Sequence, residues 1–327
     1  MPEMELHVWE GEPEWGIPSM DLESLQMMLY VKFAGAPVTI IKSAMPASAP
    51  SRSLPVFTCS EGNYTNFDSM TTFLRKQNYS CDHDLSGRQC ADVLAYGNLL
   101  KDKLYPALLY LWWVEPNNYT NVIHNWFYSR MRFPFKLWVP SNKHKVATQF
   151  IEALYDEPDN TVALETELLK HAQECLTMVS HRLGEKDYFF GQSPTAVDAL
   201  LIPYLTLLLK VDLKVPVLQN HVKACPNLTR YVLKTLQKFF PNESGGGSSS
   251  SSSSKSRSSS NRPHGNTNSS SSTTNQQAST ADSDFPNKKR NIAICAVLAA
   301  VANVTYAVAT GLVQMQGTSK ENRYLHN

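Results

Sequence analysis

The chain lacks the charge imbalance and the N-terminal signals that mark several large classes of protein. Its 30 Lys and Arg residues nearly balance its 29 Asp and Glu residues, which gives no support for bulk nucleic-acid binding. The first residues, Met1–Glu5, are acidic, and no basic stretch followed by an apolar stretch comes after them. Neither a secretory signal peptide nor a matrix transit peptide is therefore predicted.

The chain also lacks the common motifs of enzyme and metal sites. It has no glycine-rich phosphate loop, no Gly-x-Ser-x-Gly sequence and no paired C-x-x-C spacing. Its six cysteines are scattered, which is typical of reduced, buried thiols in a cytosolic domain. Metal ligation by Cys81, His83 and Cys90, or by His171 with Cys175, is an alternative without the spacing of a zinc site. No metal and no cofactor are predicted.

A tract of low complexity follows the first three quarters of the chain. From Ser244 to Asp284 the sequence consists almost entirely of Ser, Thr, Asn, Gly and Gln. Such a composition has no apolar period and cannot offset the entropy of ordering by burial. We therefore predict a flexible linker over residues 243–287, with a mean span of roughly 35–40 Å.

The linker leads to an apolar stretch with a basic flank. Lys288, Lys289 and Arg290 precede Ile292–Val313, which contains no charged residue. A helix over that stretch is roughly 33 Å long, about the thickness of a hydrocarbon core. A buried core helix is the alternative, but the linker separates this stretch from any core. The basic triplet, which alone resembles a nuclear signal, is better interpreted here as an interfacial anchor.

The position of this predicted anchor indicates how it inserts and where. Only residues 314–327 follow it, so insertion is expected after translation, with the bulk of the chain facing the cytosol. The span is only moderately apolar, being rich in Ala and Val. Moderate apolarity with a basic flank is typical of tail anchors of the mitochondrial outer membrane. We predict a single-pass protein of that membrane, held to lipid by its C-terminal helix.

The N-terminal part has the pattern of an α/β domain. Met4–Glu10 alternates apolar and polar residues as a half-buried strand does, and Pro37–Lys42 predicts a second strand. Between them, Ser19 or Asp21 offers a helix N-cap before an apolar face, and Gly35 ends that helix. A third strand is predicted from Leu54, a turn at Gly62–Asn63, and a helix over Ser69–Lys76 capped by Asp68.

The second part predicts only helices, and it is rich in aromatic residues. Apolar residues recur at helical spacing in a series of segments: Ala91–Leu111, Val146–Tyr155, Thr161–Leu183, Val197–Lys210 and Pro226–Phe240. Most of the aromatic residues near Trp112 and Trp126 are expected in the core between helices. Phe133, Phe135 and Trp138 alternate with prolines and are expected in a stiff loop between helices. Large exposed aromatics there would suit a protein interface.

This order of elements resembles a thioredoxin-like domain followed by the all-helical domain of glutathione transferases. Pro55 resembles the cis-proline that opens the third strand in that fold. Thr195 and Asp198 form a Thr-x-x-Asp capping box, as at a helix start in transferase C-terminal domains. The predicted organisation is as follows: a thioredoxin-like domain over 1–80, an all-helical domain over 85–242, a linker over 243–287, a membrane anchor over 288–313 and a short tail over 314–327.

Several local sequences are similar to those of one family, the metaxins. They are Trp15–Asp21, Arg132–Lys136, Trp138–Pro140 and Tyr188–Gly191, together with the pair Asp198-Ala199. With the C-terminal anchor, the chain is most similar to the branch that contains metaxin-1 and metaxin-3. The resemblance implies a cytosol-facing protein of the mitochondrial outer membrane that works with the β-barrel sorting and assembly machinery. It also implies a second metaxin as partner and a role as adaptor for mitochondrial transport.

The residues give little support for transferase chemistry. A transferase needs a Tyr, Ser or Cys just after the first strand to stabilise the glutathione thiolate. The candidate is Ser19, with Glu10, Glu12 and Glu14 nearby to oppose an anion. Asp68-Ser69 is a possible grip for a γ-glutamyl group, but a helix cap is the favoured interpretation. We predict a protein that is not an enzyme; a membrane-tethered glutathione transferase is the alternative.

Overall fold

The computed structural model describes residues 4–154 and 161–244, except for the side chains of residues 47, 161, 162 and 244. From residue 245 onward, the predicted linker, anchor and tail lie outside the described residues, and so do Lys288, Lys289, Arg290, Ile292 and Val313. The strands are β1 Met4–Trp9, β2 Val38–Ser43, β3 Val56–Cys59 and β4 Gly62–Tyr64. The α-helices are α1 Leu22–Phe33, α2 Phe67–Lys76, α3 Gly87–Leu99, α4 Tyr105–Leu109, α5 Pro116–Asn118, α6 His124–Arg130, α7 Phe135–Leu154, α8 Thr161–Leu183, α9 Ala196–Lys210, α10 Val217–Lys223, α11 Pro226–Phe239 and α12 Pro241–Ser244.

The strands form one mixed sheet in the order β2-β1-β3-β4. β1 is parallel to β2, with Leu6 opposite Ile40, and antiparallel to β3, with Leu6 opposite Phe57. The alternation in Met4–Trp9 places Leu6 and Val8 fully inside, because successive side chains of a strand point to opposite faces. The predicted α/β order of the N-terminal part is confirmed.

Helix α1 is the layer between the sheet and the helical part. Asp21 is its N-cap and accepts the backbone N–H of Ser24 at 3.0 Å. The helix ends at Phe33, and Gly35 follows it with a φ of 62°, which glycine adopts at little steric cost. Every residue from Ser24 to Val31 is buried, since α1 packs on the sheet with one face and on α9 with the other. The sequence pattern predicted one apolar face on this helix, whereas the helix is buried on two faces.

Two predictions near the end of the sheet are wrong by a few residues. The residues Gly62 and Asn63 belong to β4 and not to the turn before it. Helix α2 begins at Phe67 and is capped by Asn66, whose side chain accepts the N–H of Ser69 at 2.9 Å. Asp68 lies inside the first turn, where an acidic side chain is favoured by the helix dipole.

The helical part is less regular than its sequence pattern predicts. A rod from Gly87 to Val114 alternates between α-helix and π-helix, with π-helical stretches at Leu100–Leu104 and Tyr110–Val114 and a further stretch at Tyr119–Ile123. A π-helical turn holds an extra residue and thereby rotates the side chains that follow it. Trp112 and Trp113 lie in the second of these stretches and are buried, as expected of core aromatics.

The aromatic segment predicted as a loop is largely helical. Helix α7 begins at Phe135, so Phe135 and Trp138 lie in its first turns, and Pro140 lies inside it. Only Phe133 and Pro134, joined by a cis peptide bond, precede the helix. The prolines suggested a helix break, but burial of Val139, Pro140, Ala147 and Ile151 holds α7 together.

The start of α9 is built around a buried carboxylate. Asp198 accepts the N–H and the hydroxyl of Thr195, each at 2.7 Å, the N–H of Phe189 at 2.8 Å, and the hydroxyl of Tyr231. Burial raises the pKa of Asp198, and these hydrogen bonds oppose the shift. Asp82, from the segment between the sheet and the helices, accepts the N–H of Ala196 at 2.8 Å. The predicted capping box is present, and hydrogen bonds from Phe189 and Tyr231 to Asp198 extend it.

Candidate functional site

The loop after β1, where a transferase carries its catalytic hydroxyl, is closed by its own contacts. The backbone of Glu12 exchanges two hydrogen bonds with Ile17, each of 3.1 Å. A Cβ at Gly11 would lie 1.9 Å from the carbonyl oxygen of Ile17, so only glycine fits there. Ser19 is fully buried, and its hydroxyl accepts the N–H of Asp21 at 3.2 Å. The loop therefore holds Ser19 as a structural residue of the turn before α1.

The carboxylate of Glu12 joins this loop to the helical part. It accepts the indole N–H of Trp126 at 2.8 Å and a guanidinium N–H of Arg130 at 2.7 Å. Arg130 also lies 3.7 Å from Glu10. Glu12 is 7% exposed, so this pair is shielded from water on the carboxylate side. Two of the acidic residues expected to oppose a thiolate instead bind helix α6.

The start of β3 matches the predicted geometry, and its backbone carbonyl is used within the chain. The Leu54–Pro55 peptide bond is cis, which confirms the prediction made for Pro55. The carbonyl oxygen of Leu54 accepts the indole N–H of Trp9 at 3.1 Å. That carbonyl group is therefore paired within the chain.

The candidate grip at Asp68-Ser69 lies on the exposed start of helix α2. The Asp68 side chain is 79% exposed and lies 3.5 Å from the ammonium group of Lys101. The N–H of Ser69 is bonded to Asn66. The predicted cap at Asp68 is therefore wrong, because Asn66 is the N-cap of α2.

A cleft of about 640 Å³ lies between α1, the cis-proline loop and helices α4, α7 and α9. Aromatic and aliphatic side chains form most of its wall, among them Trp112, Trp113, Phe127 and Phe150. Volume and lining are those of pockets that hold ligands in other proteins. The polar groups of the cleft come from α1, from the rod before α5 and from α7: Asp21, Glu23, Gln26, Lys101, Asp102, Tyr105 and Lys143.

Burial changes the acid–base character of the cleft floor. It raises the pKa of Glu23, while the N–H of Phe67, which donates to Glu23 at 3.1 Å, acts in the opposite direction. Burial also raises the pKa of Tyr105, and the negative charges of Asp21 and Glu23 raise it further. Tyr105 therefore stays a neutral hydroxyl near two carboxyl groups. The cleft floor is rich in acceptors for a cation or for a hydrogen-bond donor.

A second candidate surface lies on the outside, at the N-terminal end of α7. Phe133 is 74% exposed, Trp138 65% and Leu137 51%. Phe135 is half-buried against the core. Beside them, the ring of Tyr128 lies under the ammonium group of Lys136 at 4.3 Å. We call Phe133, Leu137 and Trp138 the α7 surface. Their exposed side chains offer a large apolar area, which is the character of interface anchors.

The remaining candidate residues are not grouped for chemistry. Among the residues that the structure describes, no cluster of His, Cys, Asp and Glu is arranged to hold a metal ion. Cys175 is fully buried. Cys81 is half-buried, and burial raises the pKa of its thiol far above the ordinary range. Sequence reasoning missed Glu23, Tyr105 and Lys143, because the cleft brings together residues distant in the sequence.

Comparison with known proteins places the chain in a family. It is 34% identical to Metaxin-1 of Mus musculus over 97% of this chain and 93% of that protein. It is also 34% identical to Metaxin-3 of Xenopus laevis over 73% of this chain and 78% of that protein. The chain belongs to the metaxin family. Residues 24–144 match the family described as outer mitochondrial membrane transport complex protein, and residues 172–234 match the glutathione S-transferase C-terminal domain.

Solved structures similar to this chain include glutathione transferases and a related enzyme. Glutathione transferase F7 from Populus trichocarpa covers 74% of this metaxin at 12% identity, with a TM-score of 0.45. The β-etherase LigF from Sphingobium sp. strain SYK-6 covers 73% at 10% identity, with a TM-score of 0.48. Within residues 4–154 and 161–244, no helix is long and apolar enough to cross a bilayer.

Proposed function

We propose that this metaxin is a non-enzymatic subunit of the mitochondrial outer-membrane sorting and assembly machinery. In that role it supports the import and assembly of β-barrel proteins of the outer membrane. The proposal is supported by membership of the metaxin family and by the match of residues 24–144 to an outer-membrane transport complex family. The α7 surface is the observation on the molecule that favours a partner-binding role.

A scaffold role is favoured over transferase chemistry by three features near the cleft. Ser19 is buried and bonded to its own turn, the Leu54 carbonyl is paired with Trp9, and Asp68 faces solvent. A thiolate would also meet Asp21 and Glu23 at the cleft floor, with like charges raising its pKa. A membrane-tethered glutathione transferase is the second candidate function, because the cleft lies beside the cis-proline loop, where transferases bind glutathione.

Two measurements on the purified full chain separate these functions. We expect no retention on immobilised glutathione and no turnover of a reactive aryl halide with glutathione. Turnover that is lost on changing Ser19→Ala would replace the scaffold proposal with the enzyme alternative.

The α7 surface is proposed to contact the partner, a second metaxin or a subunit of the β-barrel machinery. Phe133 and Trp138 together offer the aromatic anchors that such interfaces concentrate at their centre. Because Phe135 is half-buried, Phe133 and Trp138 are the better residues to change. Affinity purification of the chain from detergent-solubilised mitochondria should recover those partners. Recovery of the chain alone from mitochondria would contradict this assignment, and recovery of motor adaptors alone would favour the transport role.

The membrane is proposed to hold the chain through residues 288–313, with the folded part on the cytosolic side. This rests on the basic flank and the uncharged stretch in the sequence. Deleting residues 288–327 should release a soluble, folded fragment from mitochondria. If that fragment resists extraction at high salt, partner binding and not the helix retains it.

A further inference from the structure

Charged side chains of both signs line the cleft. Three carboxyl groups and two ammonium groups line it: Asp21, Glu23, Asp102, Lys101 and Lys143. Lys143 lies 3.5 Å from Asp21, and Lys101 lies 3.5 Å from Asp68, which is outside the cleft. In the described part of the chain, Glu23 and Asp102 form no ion pair within 4.0 Å. These two carboxyl groups therefore have no direct ion-pair partner in the described part, although the charge of Lys143 acts on Glu23 from further away.

Lys143 shows that the aromatic side chains at the cleft can bind a cation. The ammonium group of Lys143 lies 5.4 Å from the ring centroid of Trp9 and 5.8 Å from that of Trp113. A cation above an indole face is attracted by the ring quadrupole, most strongly where water is excluded. The same ammonium group lies 3.5 Å from Asp21. In this corner of the cleft, a carboxylate and two indole rings thus bind a lysine of the chain itself. Glu23 and Tyr105 belong to the same floor and have no such occupant within the described residues.

A second observation concerns a hydrogen-bond donor. Trp112 lines the cleft and is 4% exposed. Its indole N–H has no acceptor among the described residues. A buried donor without an acceptor is destabilising, and carbonyl oxygens are its usual partners in proteins. The nitrogen atom itself has almost no accessible surface, so a ligand in the cleft reaches the ring of Trp112 and not its N–H.

The helix that carries these residues is locally rewound. Lys101 and Asp102 lie in the π-helical stretch Leu100–Leu104, and Trp112 lies in the stretch Tyr110–Val114. π-Helical turns are uncommon and are frequent at functional sites, since they redirect side chains at some loss of regular packing. Both stretches line the cleft.

We propose that this cleft binds a short extended protein segment that carries apolar side chains and one lysine or arginine. The basic group lies against Glu23 and Asp102, and apolar side chains pack on Leu109, Phe150 and the ring of Trp112. A basic peptide fits these features better than glutathione does, because glutathione carries a net negative charge. The inference is independent of the α7 surface, which lies outside the cleft and is uncharged.

The test uses the full chain in nanodiscs of phosphatidylcholine and three fluorescent eight-residue peptides, with empty nanodiscs subtracted. The peptides share leucine, valine and serine and differ at one central position: arginine, glutamine or glutamate. The arginine peptide should bind about tenfold more tightly than the glutamine peptide, as for a hydrogen-bonded ion pair, and the glutamate peptide most weakly. Equal affinities, or the reverse order, would overturn the proposal.

Variants assign the effect to the cleft. Glu23→Gln retains an acceptor for the N–H of Phe67 and should reduce the affinity of the arginine peptide to that of the glutamine peptide. Asp102→Asn, at an exposed position, should give a smaller loss in the same direction. Asp84→Asn is the matched control, because its side chain is 84% exposed and lies outside the cleft lining. If Glu23→Gln keeps full affinity, the arginine peptide binds elsewhere and the proposal is wrong. If glutathione displaces the arginine peptide, the cleft is a glutathione site instead.

Discussion

The two sides of the helical part use aromatic residues in opposite ways. On the inner side, towards the sheet, Trp126 and Trp113 are buried and lie beside charged groups, Glu12 and Lys143. On the outer side, Phe133 and Trp138 are exposed. Inner aromatics therefore hold the sheet and the helices together, while outer ones are free to bind. Changes to the inner aromatics and the charged groups beside them should alter stability, and changes to Phe133 or Trp138 should alter binding alone.

The largest expected effect is on the inner side, at Glu12. Glu12→Ala leaves the buried indole N–H of Trp126 without its acceptor and Arg130 without its closer partner. Because Arg130 is 39% exposed and also lies near Glu10, water compensates part of the loss. We expect a decrease of about 2–3 kcal/mol in the free energy of unfolding, measured by urea denaturation. Glu10→Ala is the control and should change it by less than about 1 kcal/mol.

On the outer side, the double variant Phe133→Ala/Trp138→Ala should weaken partner binding and leave folding unchanged. Loss of two interface anchors is expected to cost about 2 kcal/mol or more of binding free energy, or roughly a thirtyfold loss in affinity. Co-purified partner can be quantified against Leu94→Ala, which removes a side chain that is 71% exposed on α3. Equal loss in that control, or a lower unfolding midpoint in the double variant, would remove the distinction between the two sides.

A smaller effect is expected at Lys143, on the inner face of α7. Lys143→Met keeps the apolar stem and removes the ammonium group beside Asp21, Trp9 and Trp113. The free energy of unfolding should fall by about 1 kcal/mol, and partner binding through the α7 surface should be unaffected. A decrease in partner binding without a change in stability would mean that the two faces of α7 act as one surface.

The smallest effect is a pH dependence at Glu23. Burial raises the pKa of Glu23 above its ordinary value of 4.5, so the folded chain binds a proton more tightly than the unfolded chain. The resulting stability is present below pH 4.5 and is lost as pH rises through the raised pKa. The variant Glu23→Gln has no titrating carboxyl group at this position and therefore lacks this pH-dependent stability. Wild type should therefore gain stability relative to Glu23→Gln as pH falls from 7 to 4.5, and a constant difference in unfolding midpoints would contradict the assignment.

Local patterns predicted much of the fold. Strand alternation in Met4–Trp9, the cis-proline at Pro55 and the Thr-x-x-Asp box at α9 depend on neighbouring residues, and all three are seen. Helix α7 was missed at its start because Pro134 and Pro140 are local signals for a break. Tertiary burial of its inner face outweighed them. The cleft could not be predicted, since Glu23, Tyr105 and Lys143 meet only after the sheet and the helices pack.

Helix α1 also sets an order of events during protein synthesis. Its outer face is covered by α9, and the side-chain amide of Gln26 donates to the carbonyl of Leu200, 174 residues further along the chain. At 5–20 residues per second, a ribosome needs on the order of ten seconds or more to deliver that partner. Throughout this interval the nascent chain carries an uncovered apolar helix. The newly made N-terminal part therefore exposes an apolar surface, of the kind that chaperones bind, until α9 has emerged.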